Sequence, residues 1–174
     1  MVPLGTSMPE FVLSDVNGDL LESAALTGEP ALVMFLCNHC PYVLHIEARL
    51  GEVLHEFANL LAVGICSNDA GGYPDDAPER LTEQALRADW RFPYLVDTSQ
   101  EVGRSFRAAC TPDFFLYDAH GRLAYRGAFD ASTPGNGIPV TGDLLSAAIR
   151  RVLAHEPVPE PHRPSMGCSI KWRA

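Results

Sequence analysis

Two cysteines three residues apart, Cys37 and Cys40, stand where an apolar run gives way to a helical pattern. Ala31 to Leu36 is six apolar residues in a row, which reads as a buried strand. The pattern after Pro41 reads as a helix, so both thiols fall at a strand-to-helix junction. Unpaired backbone N–H groups and the helix dipole favour negative charge there and lower a thiol pKa. A Cys-x-x-Cys in that place suits dithiol–disulfide chemistry, with Cys37 as nucleophile, Cys40 as resolving thiol and His39 between them to tune the sulfur. The first cysteine is expected nearest solvent and the second beneath the helix start. An ordinary thiol is only about 3% thiolate at pH 7. Lowering its pKa by about two units makes it mostly thiolate, yet the net gain as an attacker is only about threefold, because nucleophilicity falls with pKa. The larger gain is as a leaving group from a mixed disulfide. The same spacing is half of a zinc site, but no second pair stands at a matching spacing, and neighbours His39 and Cys40 do not close easily on one ion with Cys37. Neither a metal nor an organic cofactor is expected.

The surrounding elements must hold that pair. Phe11 to Leu13 is a short strand candidate, followed by a turn at Asn17-Gly18-Asp19. Val43, Ile46, Leu50, Val53, Leu54 and Phe57 recur at three and four, which predicts an amphipathic helix of about four turns. Leu60 to Cys66 is a second buried strand, giving a βαβ unit. Ser67 to Pro78 is a polar loop, in which Asp75-Asp76 reads as solvated and Asn68-Asp69 as shaping the mouth of a site. A helix is predicted over 78–90, with Leu81, Ala85, Leu86 and Trp90 on one side. A strand at 94–96 and a helix at 101–108 follow. Residues 113–117 and 123–126 flank Asp118-Ala119-His120-Gly121 as an antiparallel hairpin, and 143–153 is a last helix. From Pro157 the chain is proline-rich and expected to be extended. His45, His55, His120, His155 and His162 read as scattered surface residues.

The 174 residues suffice for one domain with a sizeable core. A domain over 1–156 and an extended tail over 157–174, packed on it, are expected. The net charge of −9 argues against nucleic acid or an anionic membrane as partner. No basic segment followed by an apolar core opens the chain, so a cytoplasmic setting is expected. Five cysteines there do not make a static disulfide framework.

Strand, Cys-x-x-Cys, helix, strand, helix, then Thr111-Pro112 before a hairpin and a final helix resembles the thioredoxin fold. The resemblance implies that Pro112 is cis, and that Thr111 offers backbone groups to an extended substrate strand. Cys37 to Val43, Ser67 to Ala70, Cys110 to Leu116, Pro134 to Gly137 and Gly167 to Trp172 together resemble a bacterial group of peroxiredoxin-like proteins. That group is often labelled thiol–disulfide isomerase or thiol-specific antioxidant. Two departures stand out. Leu36 and Asn38-His39 replace the Trp and Gly-Pro usual in thioredoxins. Met34 stands where peroxiredoxins carry a hydroxyl three residues before the peroxidatic cysteine, and Cys110-Thr111-Pro112 occupies the region before the 113–117 strand where they place their arginine. Efficient peroxidase chemistry is therefore disfavoured.

Cys110 lies two residues before Pro112, and Cys168 lies in the tail near Ile170 and Trp172. Both are candidate auxiliary redox thiols, with Cys168 pairing to Cys37 or Cys110. Residues 155–168 in polyproline geometry reach on the order of 40 Å, roughly the diameter of the domain. The expectation is an α/β domain with a thioredoxin fold: a mixed central sheet flanked by helices, with short N-terminal strands. It would act as a thiol–disulfide oxidoreductase on protein or small-molecule thiols and disulfides, recharged by a dithiol electron donor. A thiol peroxidase and a non-catalytic redox sensor or binding module are the alternatives.

Overall fold

The computed structural model describes residues 1–173. A seven-stranded mixed sheet organises the chain. Its strands are β1 (Val12–Asp15), β2 (Leu20–Glu22), β3 (Ala31–Phe35), β4 (Leu61–Cys66), β5 (Tyr94–Val96), β7 (Asp113–Tyr117) and β8 (Leu123–Gly127), in the order β2-β1-β5-β4-β3-β7-β8. A separate two-stranded pair joins β6 (Cys110–Thr111) to β9 (Cys168–Ser169). The β3, β4 and β5 strands run parallel; β7 runs antiparallel to β3, with Phe35 opposite Asp113. The helices are α1 (Pro41–His55), α2 (Pro78–Arg87), α3 (Glu101–Ser105) and α4 (Asp143–Leu153).

Strand β3 is buried along its whole length because both faces of the sheet are covered. Side chains alternate across a strand, so Leu32, Met34 and Leu36 join one core with α1, α2 and α4. Ala31, Val33 and Phe35 join a second core with α3, the N-terminal segment and Ile170 of the tail. On α1 the predicted spacing holds: Val43, Ile46, Leu50 and Val53 are buried. On α2 it holds for Leu81 and Ala85; the helix ends at Arg87, short of the predicted 90, with Trp90 buried just beyond it, whereas Leu86 points to solvent at 77% exposure. One residue past Ala85 is a rotation of about 100°, which carries Leu86 off the buried stripe. The polar Gln84 takes a buried position instead. No helix among the described residues is long and apolar enough to cross a membrane.

The tail runs back across the domain. Glu160–Pro161 is cis. His162 is 5% exposed, packed on Tyr125 and 3.0 Å from an Arg126 guanidinium nitrogen, so it is not a surface residue. The apolar face that holds it comes from β8, far off in sequence.

Candidate functional site

The loop between β3 and α1 places both thiols. Cys40 is the residue that caps α1, with extended φ/ψ of −75° and 123°, and its carbonyl accepts from the N–H groups of Val43 and Leu44 at 3.0 Å each. Pro41 sits in the first turn, where a missing N–H costs nothing. Cys37 and Cys40 are free thiols in side-chain contact with one another. Both have 0% of their surface exposed, so Cys37 is not the solvent-facing member expected from sequence. Cys37 shares its core cluster with Leu36 and, from the start of α1, Val43.

The Thr111–Pro112 bond is cis, and Thr111 meets both sulfurs. Its hydroxyl lies 3.2 Å from Cys37 Sγ, and its carbonyl accepts from the Cys40 thiol at 3.2 Å. The two residues between the cysteines are tied down from the other side. Asn38 donates its backbone N–H to Asp76 Oδ1 at 2.7 Å and its side-chain amide to the Asp75 carbonyl at 2.9 Å. His39 Nδ1 is 2.6 Å from Asp76 Oδ2, and Asn68 donates to that same oxygen at 2.9 Å. The His39 ring stacks on Tyr73 with centroids 4.9 Å apart. Thus His39 faces a carboxylate rather than a sulfur.

Asp76 is 1% exposed, which overturns its reading as a solvated residue. A buried carboxylate needs several donors to hold its charge, and here Asn38, His39 and Asn68 supply them. Behind the loop, Gln84 donates to the Cys37 carbonyl at 2.9 Å and accepts from the Tyr94 hydroxyl at 2.9 Å. Gln84 escaped the sequence reading, although a lone amide three residues after Leu81 on the apolar side of a helix was the available signal. Asp76 gave none, since the pattern of Pro74-Asp75-Asp76 is that of an ordinary loop breaker.

The two sulfurs sit in different fields. Contact with Cys40, burial and the nearby Asp76 carboxylate all push the Cys37 thiol up, against a smaller opposing effect from the Thr111 hydroxyl. Cys40 is held below the ordinary thiol range by the Cys37 thiol, and burial opposes that. The Cys168 side chain and backbone N–H groups of Val43 and Cys168 add to the lowering. The coupled pair is thus biased, Cys37 upward and Cys40 downward, and a protonated Cys40 donates a hydrogen bond to the Thr111 carbonyl.

Of the remaining cysteines, Cys66 is buried at the end of β4 and its thiol is pushed up by that burial. Cys110 is pushed up to about 12 by burial and then by Asp113; Cys168 to about 11 by burial and by contact with Cys40. Cys37 Sγ, a His39 ring nitrogen and an Asp76 oxygen lie within 4.8 Å of one another, a grouping a metal ion could use. At 2.6 Å the His39–Asp76 pair is a hydrogen bond, shorter than the separation of about 3.3 Å between ligands of one tetrahedral zinc at bond lengths near 2.0 Å.

The profile of the AhpC/TSA family matches residues 4–126. The crystal structure of a hypothetical protein from Sinorhizobium meliloti is 43% identical, covers 100% of this chain and 97% of its own, and superposes with a TM-score of 0.97. An uncharacterised conserved protein from Geobacillus kaustophilus is 42% identical over 99% of this chain and 94% of its own, with a TM-score of 0.96. A secreted disulfide oxidoreductase of Mycobacterium tuberculosis is similar in fold alone, at 19% identity over 80% of this chain and 94% of its own, with a TM-score of 0.65. Comparison with curated proteins found no match.

Proposed function

The chain belongs to the AhpC/TSA family on a thioredoxin fold, and from that premise we propose that it is a thiol–disulfide oxidoreductase working through Cys37 and Cys40. The observation that carries this reading is the contact of the two thiols at the start of α1, with Thr111 touching both sulfurs. In the first step the Cys37 sulfur attacks a substrate disulfide R–S–S–R′ and passes its proton to the Cys40 thiolate. The R–S–S–R′ bond breaks, R′S⁻ leaves, and a Cys37–S–S–R mixed disulfide forms. The leaving thiolate takes the proton from Cys40. Cys40, again a thiolate, attacks Cys37 Sγ; RS⁻ leaves and a 37–40 disulfide remains. The substrate gains two electrons and the pair loses two. A low pKa on Cys40 suits its part as resolving thiol, because the thiolate is the attacking form.

Around the chemistry, Asp76 and Gln84 are positioning residues: they hold the loop backbone from opposite sides and touch no substrate. Thr111 and Pro112 are the substrate-side edge of the resemblance, but here β9 already pairs with Thr111, so an extended chain would lie there only in place of β9. Five cysteines, three of them meeting at one site, fit a reducing, cytoplasmic setting in which a dithiol donor recharges the pair. The net charge of −9 disfavours nucleic acids and anionic membranes as partners.

A peroxidase reading has the family match and the Thr111 hydroxyl beside Cys37 in its favour. Against it, the charged group that affects Cys37 is the Asp76 carboxylate, which repels the thiolate a peroxide would need. The deciding experiment is insulin reduction with a dithiol donor beside peroxide consumption. Reduction above the uncatalysed rate, with peroxide consumed no faster than by free cysteine, is expected. Fast peroxide consumption without insulin reduction would replace this reading with the peroxidase one. Failure of both, with a reversible 37–40 disulfide, would leave a redox sensor.

A further inference from the structure

The tail reaches the thiols in a way that sequence alone could not assign. Strand β9 lies antiparallel on β6, with Cys168 opposite Thr111 and Ser169 opposite Cys110. Directly opposed residues in such a ladder share a face, and neighbours alternate. The Thr111 hydroxyl faces Cys37, so Cys168 also faces the pair and Cys110 faces away. Cys168 packs against the core cluster that contains Cys37 and Cys40, and its side chain and N–H favour a lowered pKa at Cys40. Next to it, a Cβ on residue 167 would run into the Thr111 carbonyl, so Gly167 is what lets the strand lie this close.

The strand is pinned beyond the contact. Ile170 is 3% exposed in the second core, and Arg104 lies over the Trp172 ring at 4.4 Å. Asn68 accepts from the Lys171 N–H at 2.8 Å, and Gln100 donates to the Lys171 carbonyl at 2.8 Å. Cys168 is partly exposed where Cys37 and Cys40 have no exposed surface. The family match ends at Arg126, before this segment, while the Sinorhizobium meliloti structure covers it.

We propose that Cys168 is a third redox thiol, which takes the disulfide from the buried pair by attacking Cys40 and presents it to the external dithiol donor. The inference rests on the dithiol reading above. In this step the Cys168 sulfur attacks Cys40 Sγ and the 37–40 bond breaks. A 40–168 bond forms, and Cys37 leaves with the electron pair and takes the proton that Cys168 gives up. No net oxidation occurs. A donor thiolate then attacks Cys168 Sγ, releasing Cys40 as thiolate. The second donor thiol resolves that mixed disulfide, so the donor leaves as a disulfide and supplies the two electrons.

The test oxidises the full chain with oxidised dithiothreitol and maps disulfides by non-reducing peptide mass spectrometry. The wild type is expected to hold both 37–40 and 40–168 disulfides, and Cys37→Ser to hold 40–168 as its main intramolecular bond. Cys168→Ala is expected to slow reduction of the oxidised protein by dithiothreitol about fivefold or more, since the remaining disulfide is buried. If 37–40 forms but 40–168 appears in neither protein, the third-thiol role is overturned and the dithiol reading stands. If 37–40 itself never forms, both fall. Should Cys37→Ser fold poorly, the wild-type map and the Cys168→Ala rate decide: no 40–168 peptide and an unchanged rate overturn the role.

Discussion

Cys37 and Cys40 touch, yet they look out on walls of opposite construction. On the Cys37 side stand side chains from the loop after β4 and from α2, with Asp76 at the centre and Asn38, His39 and Asn68 as its donors. On the Cys40 side stand the start of α1 and β9, whose Cys168 side chain and N–H hold the Cys40 pKa down. One wall offers a carboxylate and the other offers donors. The difference shows how a pair of like thiols becomes two unequal groups: each sulfur shifts the other most, burial raises both, and the unlike walls add to the split.

Losing either sulfur should have the largest effect on this asymmetry. Cys37→Ser and Cys40→Ser are each expected to lower steady disulfide turnover by about a thousandfold or more. Only Cys40→Ser should accumulate a mixed disulfide with substrate, seen as an adduct mass. Accumulation on Cys37→Ser instead would reverse the assigned roles. Next is the carboxylate wall. Asp76→Asn keeps the shape and removes the charge, so the pH midpoint of iodoacetamide labelling at Cys37 should fall by about one unit. A midpoint that rises or stays would mean that Asp76 positions the loop without setting the field.

The tail side carries its own carboxyl group, which tests the comparison from the other direction. Burial pushes Asp113 up to about 6, against a bond from the Ser165 hydroxyl and the Ala109 N–H. Its folded value lies above its unfolded one, so its favourable contribution is complete below about pH 4 and is lost as the pH rises through 6. Asp113→Asn should therefore raise stability at pH 7 by about 1 kcal/mol, after discounting for its partial exposure, and leave it unchanged near pH 3.5. Urea unfolding at the two pH values checks this, and an equal effect at both would remove the charge argument. The smallest effect is expected from Gly167→Ala, which presses a methyl group on the Thr111 carbonyl. Cys40 loses its Cys168 partners, and its labelling midpoint should rise by about half a unit. No rise would mean that the helix start alone holds Cys40 down.

What could be read from sequence follows contact distance along the chain. The Cys37–Cys40 pair, the flanking strand and helix and the 113–126 hairpin were legible because their determinants are local periods and spacings. Thr111–Pro112 was legible only through resemblance, since no local rule brings residue 111 to residue 37. Asp76 was misread because its meaning comes from Asn38, His39 and Asn68, which the loop must fold back to meet. His162 was misread for the same reason, its partner being Arg126. Cys168 was suspected, but with Cys37 or Cys110. The strand register that turns it toward Cys40 is a property of the β6–β9 pairing, which two residues of sequence cannot announce.

The bond from the Asn38 N–H to the buried Asp76 carboxylate has a kinetic consequence. The acceptor of that amide is only 1% exposed, and Gln84, itself bonded to Tyr94, holds the Cys37 carbonyl beside it. Its hydrogen should exchange with deuterium as slowly as amides of β3, through sub-global opening rather than loop fraying. A redox loop that exchanges like a core strand changes oxidation state on a still backbone, with the sulfurs as its moving parts.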